Sequence, residues 1–201
     1  MDFPDISAVI LAAGESKRMG QPKMLLSWGD STVLGQVVSS FGSAGLPEIL
    51  VVTGGARERI EAMLAGIKVQ SQLRIIFNPE YAHGEMLSSI QTGLEALRTG
   101  TRAALIGLGD QPQVREDVIR RICEAFNKTR ANLIIPSYQN RRGHPWLVAQ
   151  PLWADLQALP SSATPRLFLR SHTDEILYLP VDDDSILRDI DTPEDYQSQR
   201  P

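Results

Sequence analysis

Short apolar runs alternate with segments whose apolar positions recur at helical spacing through the first 136 residues. The run over residues 6–12 is almost continuously apolar, which is typical of a strand buried on both faces. Residues 31–41 carry an apolar helix face, and Ser31 or Thr32 can cap that helix. The pattern continues with strands predicted at 48–53, 73–77, 103–108 and 132–136, and helices at 56–64, 86–97 and 114–126.

Strands that alternate with helices in this way predict a single-domain, three-layer α/β/α fold around a mostly parallel, Rossmann-like sheet. After residue 136, prolines divide the chain into shorter pieces, with helices predicted at 153–159 and 165–170 and strands at 175–179 and 185–190. Too few residues remain there for a second domain. We therefore expect one domain over residues 1–201, in which about 137–185 form an elaboration that covers one side of a cleft.

Composition narrows the classes of protein to which this chain can belong. Its 201 residues are 42% hydrophobic and 22% charged, which is ordinary for a globular domain and argues against disorder or a disulfide scaffold. The net charge of -4 argues against general binding to nucleic acid, since phosphate backbones need concentrated positive charge. No apolar run is as long as the roughly 18 residues that a membrane-spanning helix needs. The acidic start of the chain is unlike a secretory signal, which begins with positive charge. We expect a cytoplasmic protein that binds neither nucleic acid nor membrane.

Cysteine and histidine form no redox or zinc motif in this sequence. Cys123 is the single cysteine and falls among the apolar positions of the helix predicted at 114–126, so we interpret it as a core residue. His83, His144 and His172 are scattered and lack the spacing of a zinc site.

The loop after the first strand carries the first candidate chemistry. Residues 11–23 read LAAGESKRMGQPK, in which small residues let backbone N–H groups approach a ligand and Lys17, Arg18 and Lys23 add positive charge. Such a loop can hold a triphosphate, but its composition equally fits a mobile surface loop with solvated lysines. It contains neither G-x-G-x-x-G nor G-x-x-x-x-G-K-[ST], both of which need a helix directly after the glycines.

Acidic residues supply the second candidate site. Asp110 follows the strand predicted at 103–108, where it could bind Mg²⁺ together with substrate phosphates or cap the helix that begins near Val114. Asp189 and Asp191 are two residues apart, so an extended chain would point both to the same side, and either could join Asp110.

Two further motifs lie near the acidic residues. Arg141, Arg142 and His144 belong to a polar loop and are credible contacts for an anionic second substrate, although a histidine in the position of His144 is more often a loop or packing residue than a catalyst. Thr192 is suited to cap a helix, with Pro193 at the first helical position.

Taken together, these segments resemble the MobA-like nucleotidyltransferases, and within that family the molybdenum cofactor cytidylyltransferase branch. LAAGESKRMGQPK is similar to the family signature L-A-[AG]-G-x-[GS]-x-R-M-G-x-x-K. The other blocks follow in the family's order: NPEYAHGEMLSSIQTG at 78–93, GDQP at 109–112, GHP at 143–145 and DIDTPEDY at 189–196. One departure is Glu85, which stands between Gly84 and Met86 where many relatives have glycine and methionine adjacent.

The resemblance implies a nucleotide-diphospho-sugar transferase-like fold and a Mg²⁺-dependent enzyme that moves CMP from CTP to an acceptor phosphate and releases pyrophosphate. The implied acceptor is a phosphorylated small molecule, molybdopterin, and a molybdoenzyme or its chaperone is the implied protein partner. LAAG is usual in members that use CTP or UTP, whereas LAGG is usual in guanylyltransferases. The elaboration at about 137–185 would lie on the acceptor side.

By matching position, the resemblance also assigns residues to roles. Lys23, Arg18 and Asp110 are implied as catalytic, and Asp110 with Asp191 as ligands of Mg²⁺. The residues implied to contact the nucleotide are Leu11, Ala12, Ala13, Gly14, Arg18, Lys23, Gly84 and Ser88.

Three alternatives stay open at this stage. The chain could be a guanylyltransferase or other NTP transferase with a different phosphorylated acceptor. It could also bind a nucleotide without turnover. An NAD-type oxidoreductase on a similar sheet is the third, disfavoured because the glycine fingerprint is missing.

Overall fold

The protein is built around a mostly parallel β-sheet with helices on both faces. Its computed structural model describes residues 2–84, 86–160 and 162–201. Glu85, the departure from the family pattern, lies outside the described residues. The strands are β1 (Ile6–Ala12), β2 (Ser27–Trp28), β3 (Ser31–Thr32), β4 (Glu48–Thr53), β5 (Gln72–Phe77), β6 (Ala103–Leu108), β7 (Leu133–Tyr138), β8 (Arg141–Arg142), β9 (Trp146–Ala149) and β10 (Ile176–Pro180). The α-helices are α1 (Val33–Ser43), α2 (Arg57–Leu64), α3 (Met86–Glu95), α4 (Glu116–Thr129), α5 (Trp153–Ala158), α6 (Pro165–Ser171) and α7 (Pro193–Gln199).

The strand order across the main sheet is β10-β7-β9-β6-β1-β4-β5, with β8 paired to β7. β1 lies between β4 and β6 and is parallel to both. β9 is antiparallel to its two neighbours, β6 and β7. The predicted fold class, a three-layer α/β/α arrangement with a mostly parallel sheet, is therefore confirmed.

The almost continuous apolar run of β1 is explained by burial on both faces of the sheet. Ile10 packs with α1 and α4 in one core, around Phe41 and Phe126. Val9 packs in a second core with α3, around Ile90. Because both faces of β1 are covered, its sequence shows no alternation of polar and apolar positions.

Several predicted boundaries differ from the structure. α1 begins at Val33, because the Thr32 side chain accepts a hydrogen bond from the Gly35 N–H group and caps the helix. α4 begins at Glu116 rather than near Val114, and it ends beyond the predicted residue 126. The predicted end of α3 at residue 97 is also wrong, because the helix stops at Glu95.

The C-terminal third contains the larger differences. Residues 185–190 do not form the predicted strand, because Ser185–Leu187 fold into a 3-10 turn. The Asp183 carboxylate stabilises that turn by accepting the Ser185 N–H group at 2.8 Å. β9 was not predicted as a strand, and it enters the sheet between β6 and β7.

Cys123 is buried on α4, as predicted, and burial raises the pKa of its thiol far above the ordinary value. This makes the thiol a packing group rather than a reactive thiolate. Within the described part of the chain, no helix is both long and apolar enough to span a bilayer.

Candidate active site

β1 and β6 end at the same edge of the sheet, and both candidate loops begin there. The two strands are parallel with Leu11 opposite Leu108, and the Gly109 N–H group donates to the Leu11 carbonyl at 2.9 Å. The loop after β1 and the residues after β6, including Asp110, therefore leave the sheet side by side. This is the edge at which open parallel sheets bind their ligands.

The loop between β1 and β2 is held against this edge by its own contacts. The Ser16 hydroxyl accepts the Lys23 N–H group at 3.1 Å, and the Ser16 carbonyl accepts the Met19 N–H group at 3.0 Å. Met19 is buried in a small apolar cluster with Trp28 and Ile190. These contacts place Lys23 at the start of a 3-10 turn with its side chain directed into the site.

Lys23 lies between two carboxylates. Its Nζ donates to Asp110 Oδ2 at 2.5 Å and to Asp191 Oδ1 at 2.8 Å. Burial by itself lowers the pKa of Lys23, but the two carboxylates outweigh it and raise that pKa above its ordinary value. Because the Lys23 side chain is only 11% exposed, interpreting the loop lysines as solvated is wrong for Lys23. The interpretation as a solvated lysine is correct for Lys17, which is 79% exposed and pairs with Glu15 at the surface.

The backbone brings Asp191 to Asp110 from a distant part of the chain. The Ile190 N–H group donates to the Asp110 carbonyl at 3.0 Å. Directly afterwards, Thr192 and Asp195 form a capping box that starts α7, as the Thr-Pro motif predicts. The Asp195 carboxylate also accepts the Asp191 N–H group at 3.2 Å, which fixes the backbone at this position. Asp110 thus does not cap α4. Its carboxylate instead accepts a hydrogen bond from the Lys23 ammonium.

Arg18 adds a second positive charge beside Asp191. Its guanidinium donates to Asp191 Oδ2 at 2.8 Å, while Lys23 holds the other carboxylate oxygen. Burial raises the pKa of the Asp191 carboxyl, but Lys23 and Arg18 outweigh it and hold that pKa below its usual range. Asp191 is therefore ionised at neutral pH.

Asp189 lies close to Asp110 and Asp191, but its carboxylate has a different hydrogen-bond partner. Its Oδ1 accepts Gln111 Nε2 at 2.6 Å. Burial raises the pKa of Asp189, and the negative charges of Asp110 and Asp191 raise it further. Asp191, rather than Asp189, is the carboxylate that shares the Lys23 ammonium with Asp110.

These residues surround a cavity of about 360 Å³ at the sheet edge. The predicted site residues that line it are Leu11, Ala13, Gly14, Arg18, Lys23, Gly84, Asp110 and Asp191. Ala12 and Ser88 are not among the described lining residues. The Ala12 side chain packs into the core that faces α1, because side chains alternate along β1. Ser88 is buried against Gly84, and its hydroxyl accepts Asn78 Nδ2 at 2.9 Å.

Other residues line the cavity that sequence reasoning missed: Met24, Tyr81, Met86, Ser89 and Leu108. Asp189, which the sequence offered as an alternative partner of Asp110, also lines it. The Tyr81 ring lies so close to Gly54 that a Cβ atom there would be 2.8 Å from it. The same Cβ would lie 2.5 Å from the Ala13 carbonyl oxygen. The pair of glycines directly after β4 was the sequence signal that could have revealed Tyr81. Glycine is needed where another part of the chain, here the Tyr81 ring and the Ala13 carbonyl, comes close to the backbone at the sheet edge.

A larger cavity of about 730 Å³ adjoins the first and shares Met86, Leu108 and Asp189 with it. Arg141, Arg142 and His144 line this second cavity. Burial lowers the pKa of His144 to about 4, so its ring is neutral at physiological pH. The ring centroid lies 6.4 Å from that of Trp146, which supports the packing interpretation of this histidine.

The carboxylates suit a divalent ion that brings ligands of its own. Among the described residues, no three His, Cys, Asp or Glu side chains are grouped so that they could hold a metal. Asp110 and Asp191 nevertheless present one oxygen each to a single cation, the Lys23 ammonium. Mg²⁺ uses one or two carboxylates with water and substrate phosphates, so this donor set fits an ion that enters with a nucleotide.

Comparison with known sequences agrees with the arrangement of the site. Residues 8–176 match the MobA-like NTP transferase domain. Molybdenum cofactor cytidylyltransferase of Escherichia coli K12 is 31% identical over 193 residues, which cover 95% of this chain and 93% of that protein. Nicotine blue oxidoreductase of Paenarthrobacter nicotinovorans is 28% identical over 96% of this chain and 95% of that protein.

Solved structures show the same fold over nearly the whole chain. Rv0371c of Mycobacterium tuberculosis H37Rv superimposes with a TM-score of 0.83 at 27% identity, covering 98% of each chain. A structure of that protein in complex with manganese gives a TM-score of 0.77 at 25% identity, over 97% of each chain. The expectation of a nucleotide-diphospho-sugar transferase-like fold is confirmed, and a relative with this fold is known to bind a divalent metal.

Proposed function

The chain belongs to the MobA-like NTP transferase family, and on that premise we propose that it moves CMP from CTP to the phosphate group of a small-molecule acceptor. In this reaction an oxygen of the acceptor phosphate attacks the α-phosphorus of CTP. The bond between the α- and β-phosphates breaks and pyrophosphate leaves. The nucleotidyltransferase class follows from the family, whereas CTP, magnesium and the acceptor are our proposals.

The observation that carries this proposal is the position of Lys23 between Asp110 and Asp191 beside the smaller cavity. An acceptor phosphate is already anionic at neutral pH, so the reaction needs no strong general base. The obstacle is the repulsion between two anions. Preorganised positive charge at the α-phosphate and at the leaving pyrophosphate removes that obstacle.

Each predicted residue has a place in this scheme. Lys23 and Arg18 bind the phosphates, and backbone N–H groups of residues 11–14 approach the nucleotide. Gly84 lines the smaller cavity, in which the nucleotide would bind, and the Ser88 side chain packs against Gly84. Asp110 and Asp191 would hold Mg²⁺, which supplies neutralisation of the triphosphate charge when bound.

The larger cavity is our proposed acceptor site, because it adjoins the nucleotide cavity. Its walls come largely from residues 137–185, the segment interpreted as the acceptor-side elaboration of a single nucleotidyltransferase domain over residues 1–201. The relative with 31% identity acts on the molybdenum cofactor, which makes molybdopterin our proposed acceptor. A molybdoenzyme or its chaperone would then receive the product in the cytoplasm.

A panel of nucleoside triphosphates, assayed with Mg²⁺ and either molybdopterin or other phosphomonoesters, tests the proposal through pyrophosphate release. We expect CTP to be preferred over GTP, because Ala13 stands where guanylyltransferases usually carry glycine. Turnover with GTP that equals or exceeds turnover with CTP would overturn the nucleotide assignment. CTP binding without pyrophosphate release would show a nucleotide-binding protein rather than an enzyme.

A second candidate function is favoured by one comparison, the 28% identity with nicotine blue oxidoreductase over 96% of this chain. In the NAD-type alternative that the sequence leaves open, an oxidoreductase would pass electrons from a reduced nicotinamide cofactor to a compound such as nicotine blue, and the cofactor would be oxidised. Loss of reduced-nicotinamide absorbance without pyrophosphate release would favour this candidate over nucleotidyl transfer.

A further inference from the structure

The Lys23 ammonium occupies the position between Asp110 and Asp191 that the proposed Mg²⁺ needs. Lys23 Nζ lies 2.5 Å from Asp110 Oδ2 and 2.8 Å from Asp191 Oδ1. Mg²⁺ binds oxygen ligands at about 2.0–2.1 Å, so an ion that bridged the same two oxygens would lie within about 4 Å of Nζ. Two cations that close repel each other strongly where little water screens them. The ion and the ammonium therefore exclude each other.

The remaining oxygen of Asp191 offers the ion no alternative. Arg18 already donates to Asp191 Oδ2 at 2.8 Å, so each oxygen of this carboxylate has a cation beside it. Arg18 is the outer cation, with 70% of its side chain exposed against 11% for Lys23. Within the described residues, Lys23 pairs with both carboxylates, whereas Arg18 pairs with Asp191 alone. Lys23 is therefore the cation that has to leave when an ion joins Asp110 to Asp191.

The charges around the smaller cavity explain why an ammonium is held at this position in the nucleotide-free protein. The charged groups among the described lining residues are three carboxylates and two cations: Asp110, Asp189, Asp191, Arg18 and Lys23. Without Lys23, the exposed Arg18 alone would face three neighbouring carboxylates. Uncompensated charge of this kind is costly in a partly buried site. The ammonium thus supplies the positive charge that a metal ion would otherwise have to supply.

The backbone of Lys23 is fixed, whereas its side chain can change partners. Ser16 Oγ accepts the Lys23 N–H group at 3.1 Å, and the Lys23 carbonyl accepts the Leu26 N–H group at 3.2 Å. The ammonium stands on a flexible four-carbon stem, so it can move without displacing the loop. Lys23 lines the smaller cavity, where a triphosphate would offer the ammonium an anion of higher charge than either carboxylate.

We propose that Lys23 is a resident cation that keeps a divalent ion out of the metal position until a triphosphate draws its ammonium away. The nucleotide then binds before the metal ion or together with it, and never after it. The proposal rests on the proposed function, since it assigns the smaller cavity to the nucleotide and the two carboxylates to the metal. It adds that Lys23 has two effects of opposite sign, because it weakens binding of the free ion and strengthens binding of the triphosphate.

The test measures Mn²⁺ binding to the nucleotide-free protein by electron paramagnetic resonance. Lys23→Met removes the ammonium and keeps a flexible side chain of similar length. We expect Mn²⁺ to bind this variant at least about tenfold more tightly than it binds the unmodified protein, because the competing charge-assisted hydrogen bonds are gone. This gain should vanish in Lys23→Met/Asp110→Asn. A purely structural role of Lys23 produces no such gain, and a gain that persists without Asp110 would contradict the inference.

Two matched variants separate occupation of the metal position from the effect of charge alone. Lys17→Met removes an ammonium from the same loop that is 79% exposed, and it should leave the affinity for Mn²⁺ unchanged. Arg18→Gln removes a positive charge that touches Asp191 from the outside, and it should raise the affinity clearly less than Lys23→Met does. Equal gains in Arg18→Gln and Lys23→Met would show that charge, rather than position, governs metal binding, and the inference would fail.

Thermal unfolding of the unmodified protein gives a second measurement, which does not depend on the folding of a variant. We expect CTP in EDTA to raise the melting temperature, and Mn²⁺ alone to leave it unchanged. GTP in EDTA is measured beside CTP, so that a wrong nucleotide assignment is not mistaken for a wrong order of binding. Stabilisation by Mn²⁺ alone, but by neither nucleotide in EDTA, would overturn the inference.

Pyrophosphate release decides the proposed function separately. A protein that gains affinity for Mn²⁺ in Lys23→Met but releases no pyrophosphate would refute the proposed function alone. Pyrophosphate release by the unmodified protein, without any gain in Lys23→Met, would refute this inference alone.

Discussion

Lys23 Nζ lies 2.5 Å from Asp110 Oδ2, although 87 positions separate the two residues in the chain. The contact joins the loop after β1 to the residues after β6, at the edge where these neighbouring parallel strands end. A buried ammonium thus occupies the position between two carboxylates that a divalent ion could share. The charge of Lys23 is consequently linked both to stability and to the proposed chemistry.

Removal of this ammonium should affect activity and stability together. We expect Lys23→Ala to lower kcat/KM by about 10²–10³, the typical effect of removing one group that faces developing charge. The same substitution leaves Asp110 and Asp191 facing each other, so the free energy of unfolding should fall by about 1–3 kcal/mol. Steady-state kinetics and chemical denaturation measure the two effects.

Lys17→Ala is the matched control for Lys23→Ala, since Lys17 is in the same loop and 79% exposed. It should change neither kcat/KM nor stability measurably. An unchanged kcat/KM in Lys23→Ala would count against the phosphate role of Lys23, even if its stability fell.

Asp110 and Asp191 should behave as one unit. We expect Asp110→Asn and Asp191→Asn each to weaken Mn²⁺ binding in the presence of CTP, measured by electron paramagnetic resonance, and to reduce turnover. The double variant should be little worse than the worse single variant, because either substitution already disrupts a shared site. Asp189→Asn should have a smaller effect, because Gln111 rather than Lys23 binds that carboxylate. Additive losses, or a larger loss from Asp189→Asn than from Asp191→Asn, would show that the metal ligands are wrongly assigned.

Gly14 offers a test that separates ligand binding from folding. A Cβ atom at Gly14 would meet no protein atom within 4 Å, and this residue lines the smaller cavity. We expect Gly14→Ala to leave the free energy of unfolding within about 0.5 kcal/mol of the original value. The KM for CTP should rise roughly tenfold, because the new methyl group projects where the nucleotide approaches the backbone.

Gly143→Ala is the contrasting variant, since a Cβ atom there would lie 2.4 Å from the Ile186 carbonyl oxygen. It should lower stability by about 1–3 kcal/mol through forced displacement of that backbone. A normal KM for CTP in Gly14→Ala would argue against close approach of the nucleotide to this loop.

His172 should make the stability of the α5–α6 region depend on pH. Burial lowers the pKa of His172, but hydrogen bonds to the Phe168 carbonyl and the Asp155 carboxylate outweigh it and raise that pKa above 6.5. A raised pKa in the folded state means that this stabilisation is fully present below about pH 6.5 and is lost as the pH rises through the folded-state pKa. His172→Gln should therefore reduce the free energy of unfolding by about 0.5–1 kcal/mol near pH 5.5, and by less near pH 9. Asp155→Asn should reproduce this dependence, and an equal loss at both pH values would show that protonation is not involved.

The local pattern of apolar and polar residues was sufficient to predict most of the secondary structure. The apolar run of β1 predicts its bounds correctly, because burial on both faces favours apolar residues at nearly every position of the strand. The Thr192-Pro193 pair predicts the start of α7, because a capping side chain and a fixed φ angle act within one helical turn. By contrast, the 3-10 turn at Ser185–Leu187 was mistaken for a strand, since so short an apolar segment fits either conformation.

The sequence by itself determined the alternation of the main strands and helices through residue 136, the fold class and the cations and carboxylates available for chemistry, because these depend on local periodicity and residue type. Only the tertiary structure decided which lysine is buried, since Lys17 and Lys23 share a loop and nothing local distinguishes their charges. Long-range backbone pairing also decided the partner of Asp110: the Ile190 N–H group binds its carbonyl and brings Asp191, rather than Asp189, to Lys23. The physical reason is that the energy of a charge depends on its neighbours in space, and those neighbours come from parts of the chain that meet only when the sheet has formed.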